Sequence, residues 1–138
     1  MDIPTPLTRL YTSVAATCDQ IGRLGKRAFE RSDQRDEPVN AVEYVGPFRN
    51  AAADLIVWLE IKGRPDDAGE IDDAIASMLK VARAYDRGEL QAWLPDDERA
   101  GPVEPLDRLV DAMRAAAGRL ENLDGEIPAE VWEGCDDA

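Results

Sequence analysis

Histidine is absent from this 138-residue sequence, and cysteine occurs only twice, as Cys18 and Cys135. The lack of histidine excludes Ser-His-Asp and Cys-His nucleophilic sites, a histidine general base and His-ligated zinc. Two cysteines this far apart do not complete a zinc site, and their spacing alone does not predict a disulfide. We therefore interpret Cys18 as a buried thiol and Cys135 as a thiol in the tail, both in a reducing cytoplasm.

Three further features are missing. The sequence has no GxxxxGK[ST] or GxGxxG motif, which excludes the familiar glycine-rich phosphate-binding loops. No apolar run approaches the roughly 18 residues that span a bilayer. The first residues, MDIPTPLTRL, lack the basic segment and apolar core of a secretory signal. These absences predict a cytoplasmic protein with no membrane partner.

Positive charge is scarce. The chain carries 16 basic and 29 acidic residues, a formal net charge of −13. Such a charge opposes direct binding to nucleic acid or anionic lipid and favours partners with a basic surface. Among the basic residues arginine dominates over lysine, and alanine is abundant, which suggests a GC-rich genome. We therefore expect a bacterial protein or one made by a phage in its host.

Apolar residues recur at three- and four-residue steps along most of the chain, as in amphipathic helices. The pattern predicts long helices over about 6–31, 47–62, 67–87 and 105–123, with short helices near 39–45 and 128–132. No stretch alternates as a strand does. The prediction is an all-α, antiparallel bundle of about four long helices, forming a single domain over 1–138 with a frayed acidic tail at 133–138.

Local signals set the expected helix ends. Thr5 followed by Pro6 suits the opening of the first helix, because the threonine oxygen accepts an unpaired amide and proline has none to lose. Pro47 is expected to start the second long helix, and Gly63 to end it. Asp67 with Glu70 three residues later resembles a capping box for the third.

The stretch 47–62 is the least polar of the chain and carries apolar residues on two faces. One face, from Phe48 to Leu59, suits the core. The other holds Val57, Trp58 and Ile61, which need a cover. We expect either the loop residues Trp93 and Leu94 or another molecule to supply it, and in the second case a homodimer through Val57, Trp58 and Ile61 is one form.

Acidic residues cluster in two places that lack an equal number of cations. The candidate partner-binding residues are these carboxylates together with Trp58, a residue type enriched at interface hot spots; they are Asp66, Asp67, Glu70, Asp73, Asp96, Asp97, Glu98 and Trp58. At helix N-termini the same carboxylates also serve as caps and favour solubility. Asp96, Asp97 and Glu98 lie in a loop and are less easily explained in that way.

Together these features predict a non-enzymatic protein-binding module. It would act as an inhibitor or regulator by occupying a partner's basic surface. A sharper form of the hypothesis is a nucleic-acid mimic, with carboxylates standing where a duplex has phosphates, as in phage counter-defence; the partner is then a nucleic-acid-binding protein. The sequence predicts no cofactor, no catalytic residue and no bound metal.

Two other functions stay open. Carboxylates three residues apart on facing helices hold Mg²⁺ in all-α nucleotide hydrolases, and three such pairs occur here: Glu70 with Asp73, Asp86 with Glu89, and Glu104 with Asp107. None has helical sequence on both sides, and such pairs arise often in an acidic chain. A structural helical homo-oligomer is the remaining alternative.

The apolar stripe of the helix predicted at 67–87 provides a test of the fold. Leu79 lies on that stripe, so Leu79→Asp should unfold the domain by burying an unpaired charge. Thermal unfolding followed by circular dichroism measures the effect. Cooperative melting at the wild-type temperature would place Leu79 outside the core.

Overall fold

The computed structural model describes residues 5–30, 41–89 and 105–135, with the backbone alone for residues 24–30. Four helices account for most of these ranges: α1 Pro6–Glu30, α2 Ala41–Ile61, α3 Pro65–Asp86 and α4 Pro105–Glu126. A 3₁₀ turn, Ala129–Trp132, follows α4. The described ranges contain no strand, and the all-α prediction is confirmed.

The four helices form an antiparallel ring in which each packs on two neighbours. Helix α2 packs on α1 and α3, and α4 packs on α1 and α3, so α2 and α4 occupy diagonal positions. Direction follows from contacts between the first turn of one helix and the last turns of the next, as between Thr8 and Asp124. We call the end that holds the α2–α3 turn, residues 62–64, the hairpin end. It also holds the start of α1 and the end of α4.

Apolar side chains from all four helices meet in one core. The largest fully buried ones are Leu7, Val14, Ile21, Val45, Leu59, Ile71, Met78, Leu109, Met113 and Leu120. Among the described residues no polar or charged residue is buried. Leu79 lies in this core, as its position on the apolar stripe predicts. The apolar stripes therefore determine which face of each helix points inward.

Helix α2 starts earlier than the sequence suggests. A separate short helix near 39–45 and a new start at Pro47 were expected, but one helix runs from Ala41 through Pro47 to Ile61. Gly46 explains this continuity, since the residue before proline normally leaves the helical region because its Cβ clashes with the proline ring, and glycine has no Cβ. Residues 39 and 40 lie outside the described ranges.

The α2–α3 turn matches the expected capping at Gly63 but differs from it at the start of α3. Gly63 ends α2 with a φ of 76°, in the left-handed region that favours glycine. Pro65 then opens α3 at its first position, and the preceding Arg64 makes no side-chain cap. Asp67 is therefore not the N-cap. It lies in the first turn, where its carboxylate accepts a hydrogen bond of 2.6 Å from Nε of Arg64.

The other helix ends are closer to expectation. Thr5 caps α1 by accepting the Thr8 amide at 3.0 Å, which confirms the predicted opening. Helix α4 continues past the predicted end at 123 to Glu126. The 3₁₀ turn falls where a short helix near 128–132 was predicted. The frayed tail was predicted over 133–138. The amides of Glu133 and Cys135 donate to the carbonyls of Glu130 and Trp132. Residues 136–138 lie outside the described ranges, and the fraying stays a prediction.

Hydrogen bonds from side chains join neighbouring helices at both ends of the bundle. At the hairpin end, the hydroxyls of Thr5 and Thr8 donate to the Asp124 carboxylate at 2.8 and 2.6 Å. At the other end, the Asp86 carboxylate of α3 accepts the amides of Ala41 and Val42, the first two residues of α2. These donors belong to the free N–H groups of a helix start. Asp86 is thus a helix cap supplied by a neighbouring helix.

This cap predicts a measurable loss of stability. Asp86→Ala should lower the free energy of unfolding by about 1–2 kcal/mol, because two α2 amides lose their acceptor. Urea unfolding measures the change. Asp72→Ala is the matched control, since it removes an exposed carboxylate of the same helix; equal effects of both substitutions would contradict a capping role for Asp86.

Candidate partner-binding surface

Three of the predicted contact residues share one edge of α3. Asp66, Glu70 and Asp73 follow each other at four- and three-residue steps and are all exposed, so they lie on one helical stripe. The stripe starts in the first turn of α3 and therefore lies at the hairpin end. We call it the acidic edge. The structure thus brings these three carboxylates together, while Asp67 lies half-buried against Arg64.

The members of the acidic edge differ in what they contact. The Glu70 carboxylate accepts a hydrogen bond of 3.3 Å from Arg119 of α4, and both side chains are exposed. Such surface pairs contribute little and open readily. No hydrogen bond or ion pair joins Asp66 or Asp73 to another residue in the part of the chain that the structure describes. These two carboxylates are available to a partner.

Further carboxylates reach the same end from the last part of the chain. Glu126 ends α4, while Glu130 and Glu133 lie in and just after the 3₁₀ turn, and all three are exposed. Asp124 differs from them because the hydroxyls of Thr5 and Thr8 occupy its oxygens. The hairpin end therefore combines the start of α3 and the end of α4 into a surface rich in carboxylates.

Trp58 is covered by the segment around the 3₁₀ turn, which the sequence predicted as a short helix but not as the cover of Trp58. Its indole Nε1 donates to the Val131 carbonyl at 2.8 Å. A Cβ built on Gly134 would lie 3.7 Å from the far edge of the ring, and Nζ of Lys62 lies 4.7 Å from its centre. The terminal segment, residues 129–135, thus packs against α2. No spacing in the sequence links Val131 to Trp58.

The two neighbours of Trp58 on the second face of α2 stay open. Val57 is 54% exposed and Ile61 is 74% exposed. The residues expected as an alternative cover, Trp93 and Leu94, lie outside the described ranges, as does the second acidic cluster, Asp96, Asp97 and Glu98. The candidate surface formed by described residues therefore consists of the acidic edge, the carboxylates of Glu126, Glu130 and Glu133, and the apolar pair Val57 and Ile61.

The Trp132 side chain packs into the core at the hairpin end. Its ring is buried in the core, but its Nε1 has no hydrogen-bond partner among residues 5–30, 41–89 and 105–135. An unpaired buried donor costs about 1–3 kcal/mol. The large apolar area of an indole ring opposes that cost and holds the terminal segment on the bundle.

Of the carboxylate pairs considered for Mg²⁺, Glu70 and Asp73 lie near the start of α3, while Asp86 and Glu89 lie at its other end. Glu70 contacts Arg119, Asp86 caps α2, and Glu89 pairs with Arg87 at 3.7 Å. Glu104 is outside the described ranges. Within those ranges, no group of three or more His, Cys, Asp or Glu side chains is placed to hold a metal ion. The hydrolase alternative stays untested.

Cys18 is buried inside the bundle, and its Sγ donates to the Val110 carbonyl at 3.2 Å. Burial raises the pKa of this thiol, because desolvation disfavours the thiolate, and the nearby Arg114 charge opposes the shift only in part. Cys135 is half-buried, and no disulfide joins either cysteine to another described residue.

No protein-family model matches the chain, and no curated protein or solved structure is significantly similar to it. None of the helices in the described ranges is both long and apolar enough to cross a membrane. By its fold the chain is an all-α helical bundle.

The thiols provide a prediction about reactivity. Cys135 should react with iodoacetamide faster than Cys18 near pH 8, since the thiolate is the nucleophile and the raised pKa of Cys18 leaves less of it at a given pH. Mass spectrometry of Cys18→Ala and Cys135→Ala variants measures each thiol alone. Equal rates in the folded protein would contradict the burial of Cys18.

The Trp58 bond provides a second prediction. Trp58→Phe should speed hydrogen exchange of the Val131, Glu133 and Cys135 amides by about two- to tenfold, as expected for the loss of one hydrogen bond worth about 0.5–1.5 kcal/mol. These three amides donate to the carbonyls of Pro128, Glu130 and Trp132. Lys62→Met is the control, because it keeps the indole bond. Unchanged exchange in Trp58→Phe would show that this bond does not hold the segment.

Proposed function

We propose that this protein is a non-enzymatic binding module that inhibits or regulates a partner by occupying its basic surface. In the sharper form of the proposal the partner is a nucleic-acid-binding protein of a bacterium or phage-infected cell, and the module takes the place of the nucleic acid. The observation that supports it is the convergence of exposed carboxylates at the hairpin end.

Charge spacing supports the comparison with nucleic acid. Along α3 a residue rises about 1.5 Å, so the carboxylates at Asp66, Glu70 and Asp73 are spaced by about 5 Å along the helix axis. One DNA strand carries a phosphate about every 3.4 Å of axis. The acidic edge therefore presents a linear charge density of the same order as a single strand.

The acidic edge also stabilises the helix that carries it. Its first member, Asp66, lies in the first turn of α3, where a carboxylate interacts favourably with the positive end of the helix dipole. Asp66 therefore serves both the folding of α3 and the proposed recognition. The net charge of −13 extends the attraction over the whole molecule and speeds encounters with a basic groove.

The proposal predicts capture of a nucleic-acid-binding protein. Immobilised protein should retain such a partner from nuclease-treated bacterial extract, and rising salt or added duplex DNA should release it, because both compete for the basic surface. Asp66→Asn with Asp73→Asn should weaken retention. Replacing Asp96, Asp97 and Glu98 by their amides tests the second cluster in the same way.

The matched control removes two exposed carboxylates outside the acidic edge, one on α1 and one on α4. Asp19→Asn with Asp107→Asn changes the net charge equally but leaves the acidic edge intact. Retention should be weaker for the acidic-edge pair than for this control. Binding that is insensitive to salt, to DNA and to all of these substitutions would contradict the proposed function.

A further inference from the structure

An apolar face on α2 is the feature that the acidic surface leaves unexplained. Val57 and Ile61 lie one helical turn apart and are 54% and 74% exposed, so they form a continuous strip with the exposed Ala53 one turn earlier. We call these three residues the docking face. Single exposed apolar residues are common, but an aligned series is typical of a binding surface.

Carboxylates flank the docking face on both sides. Because a helix turns about 100° per residue, Asp54 and Glu60 lie about 60° to either side of Val57. Both are exposed. A partner that covers Val57 and Ile61 must therefore place its flanking side chains beside negative charge.

Carboxylates outnumber cations around the docking face. Residues 49–73 contain three cations, Arg49, Lys62 and Arg64, against seven carboxylates, Asp54, Glu60, Asp66, Asp67, Glu70, Asp72 and Asp73. Arg64 is bonded to Asp67 and Lys62 lies over the Trp58 ring, while Arg49 is exposed about two turns before Val57. The field beside the docking face is thus negative and complements basic side chains.

We propose that the docking face binds an amphipathic helix of the basic partner, with an apolar stripe on Val57 and Ile61 and arginine or lysine on either side. The inference rests on the proposed function and names the chemistry of the partner segment. Helix α2 has no Pro or Gly after Pro47 and presents a straight apolar strip, which suits a helix packed along it. Binding through so few apolar residues is expected to be transient.

Charge argues against a second copy as the occupant. A two-fold interface places the same patch of each copy against the other. Asp54 and Glu60 of one molecule would then approach those of its partner, in a chain whose net charge is already −13. A basic helix meets the same apolar strip without that repulsion.

The test compares two synthetic peptides of about five helical turns. One carries leucines at a helical spacing with arginines on both flanks, and the other has the same composition in an order that destroys the stripe. Fluorescence anisotropy of the labelled peptides at low salt measures affinity. The striped peptide should bind the protein about tenfold more tightly than the shuffled one.

Ile61→Asp should abolish this preference, although the new charge attracts both cationic peptides more strongly. The residue is 74% exposed, so the fold should tolerate the change. Ala115→Asp adds the same charge at an exposed position of α4, on the diagonal helix, and should keep the preference. Loss of the preference in both variants would overturn the inference.

The remaining outcomes separate this inference from the proposed function. Equal, salt-sensitive binding of both peptides overturns the docking face while leaving attraction to basic surfaces intact. Failure of both peptides to bind at low salt counts against the inference and that attraction alike. A molar mass in sedimentation equilibrium that rises with concentration, and returns to the monomer in Ile61→Asp, overturns the inference because the occupant is then a second copy.

Discussion

Burial of four apolar stripes in one shared core is the constraint on which the rest of the structure depends. Most of the stability of a helix in a protein comes from packing of its apolar face rather than from its own helical propensity. Among the described residues the core contains no buried polar or charged residue. Polar contacts add to the packing in fixing the register of the helices: Asp124 joins α4 to α1, Asp86 joins α3 to α2, and the Cys18 thiol donates to α4 inside the bundle.

The same arrangement explains how the candidate surface is formed. An antiparallel ring places the start of α3 beside the end of α4, so carboxylates that favour one helix start meet those of the chain terminus. The terminal segment then folds back on α2 and takes Trp58 as a packing residue. Val57 and Ile61 stay outside that cover. Val57 and Ile61, the apolar part of the proposed interface, therefore face solvent beside carboxylates, while Trp58 between them in sequence packs against the terminal segment.

Pattern alone predicted the helices well where periodicity was long and less well at their ends. The stripe through Ile71, Met78 and Leu79 is buried as its spacing requires. The break expected at Pro47 was wrong because Gly46 removes the clash that normally ends a helix before proline. Asp67 resembled a cap, yet Pro65 starts α3 two residues earlier. Of the candidate contact residues, Asp66, Glu70 and Asp73 share one edge, as helical spacing predicts, while the partner of Glu70 could not be read from the chain.

The sequence by itself determined the all-α class, the inward face of each helix and the negative charge, because these follow from local spacing and composition. Only the tertiary structure decided that Asp86 caps α2, that Asp124 binds Thr5 and Thr8, and that Val131 covers Trp58. These contacts join residues distant in the chain, and no local periodicity encodes which helix ends will meet. Their pairing depends on the order of helices around the core, which is fixed only when all four pack together.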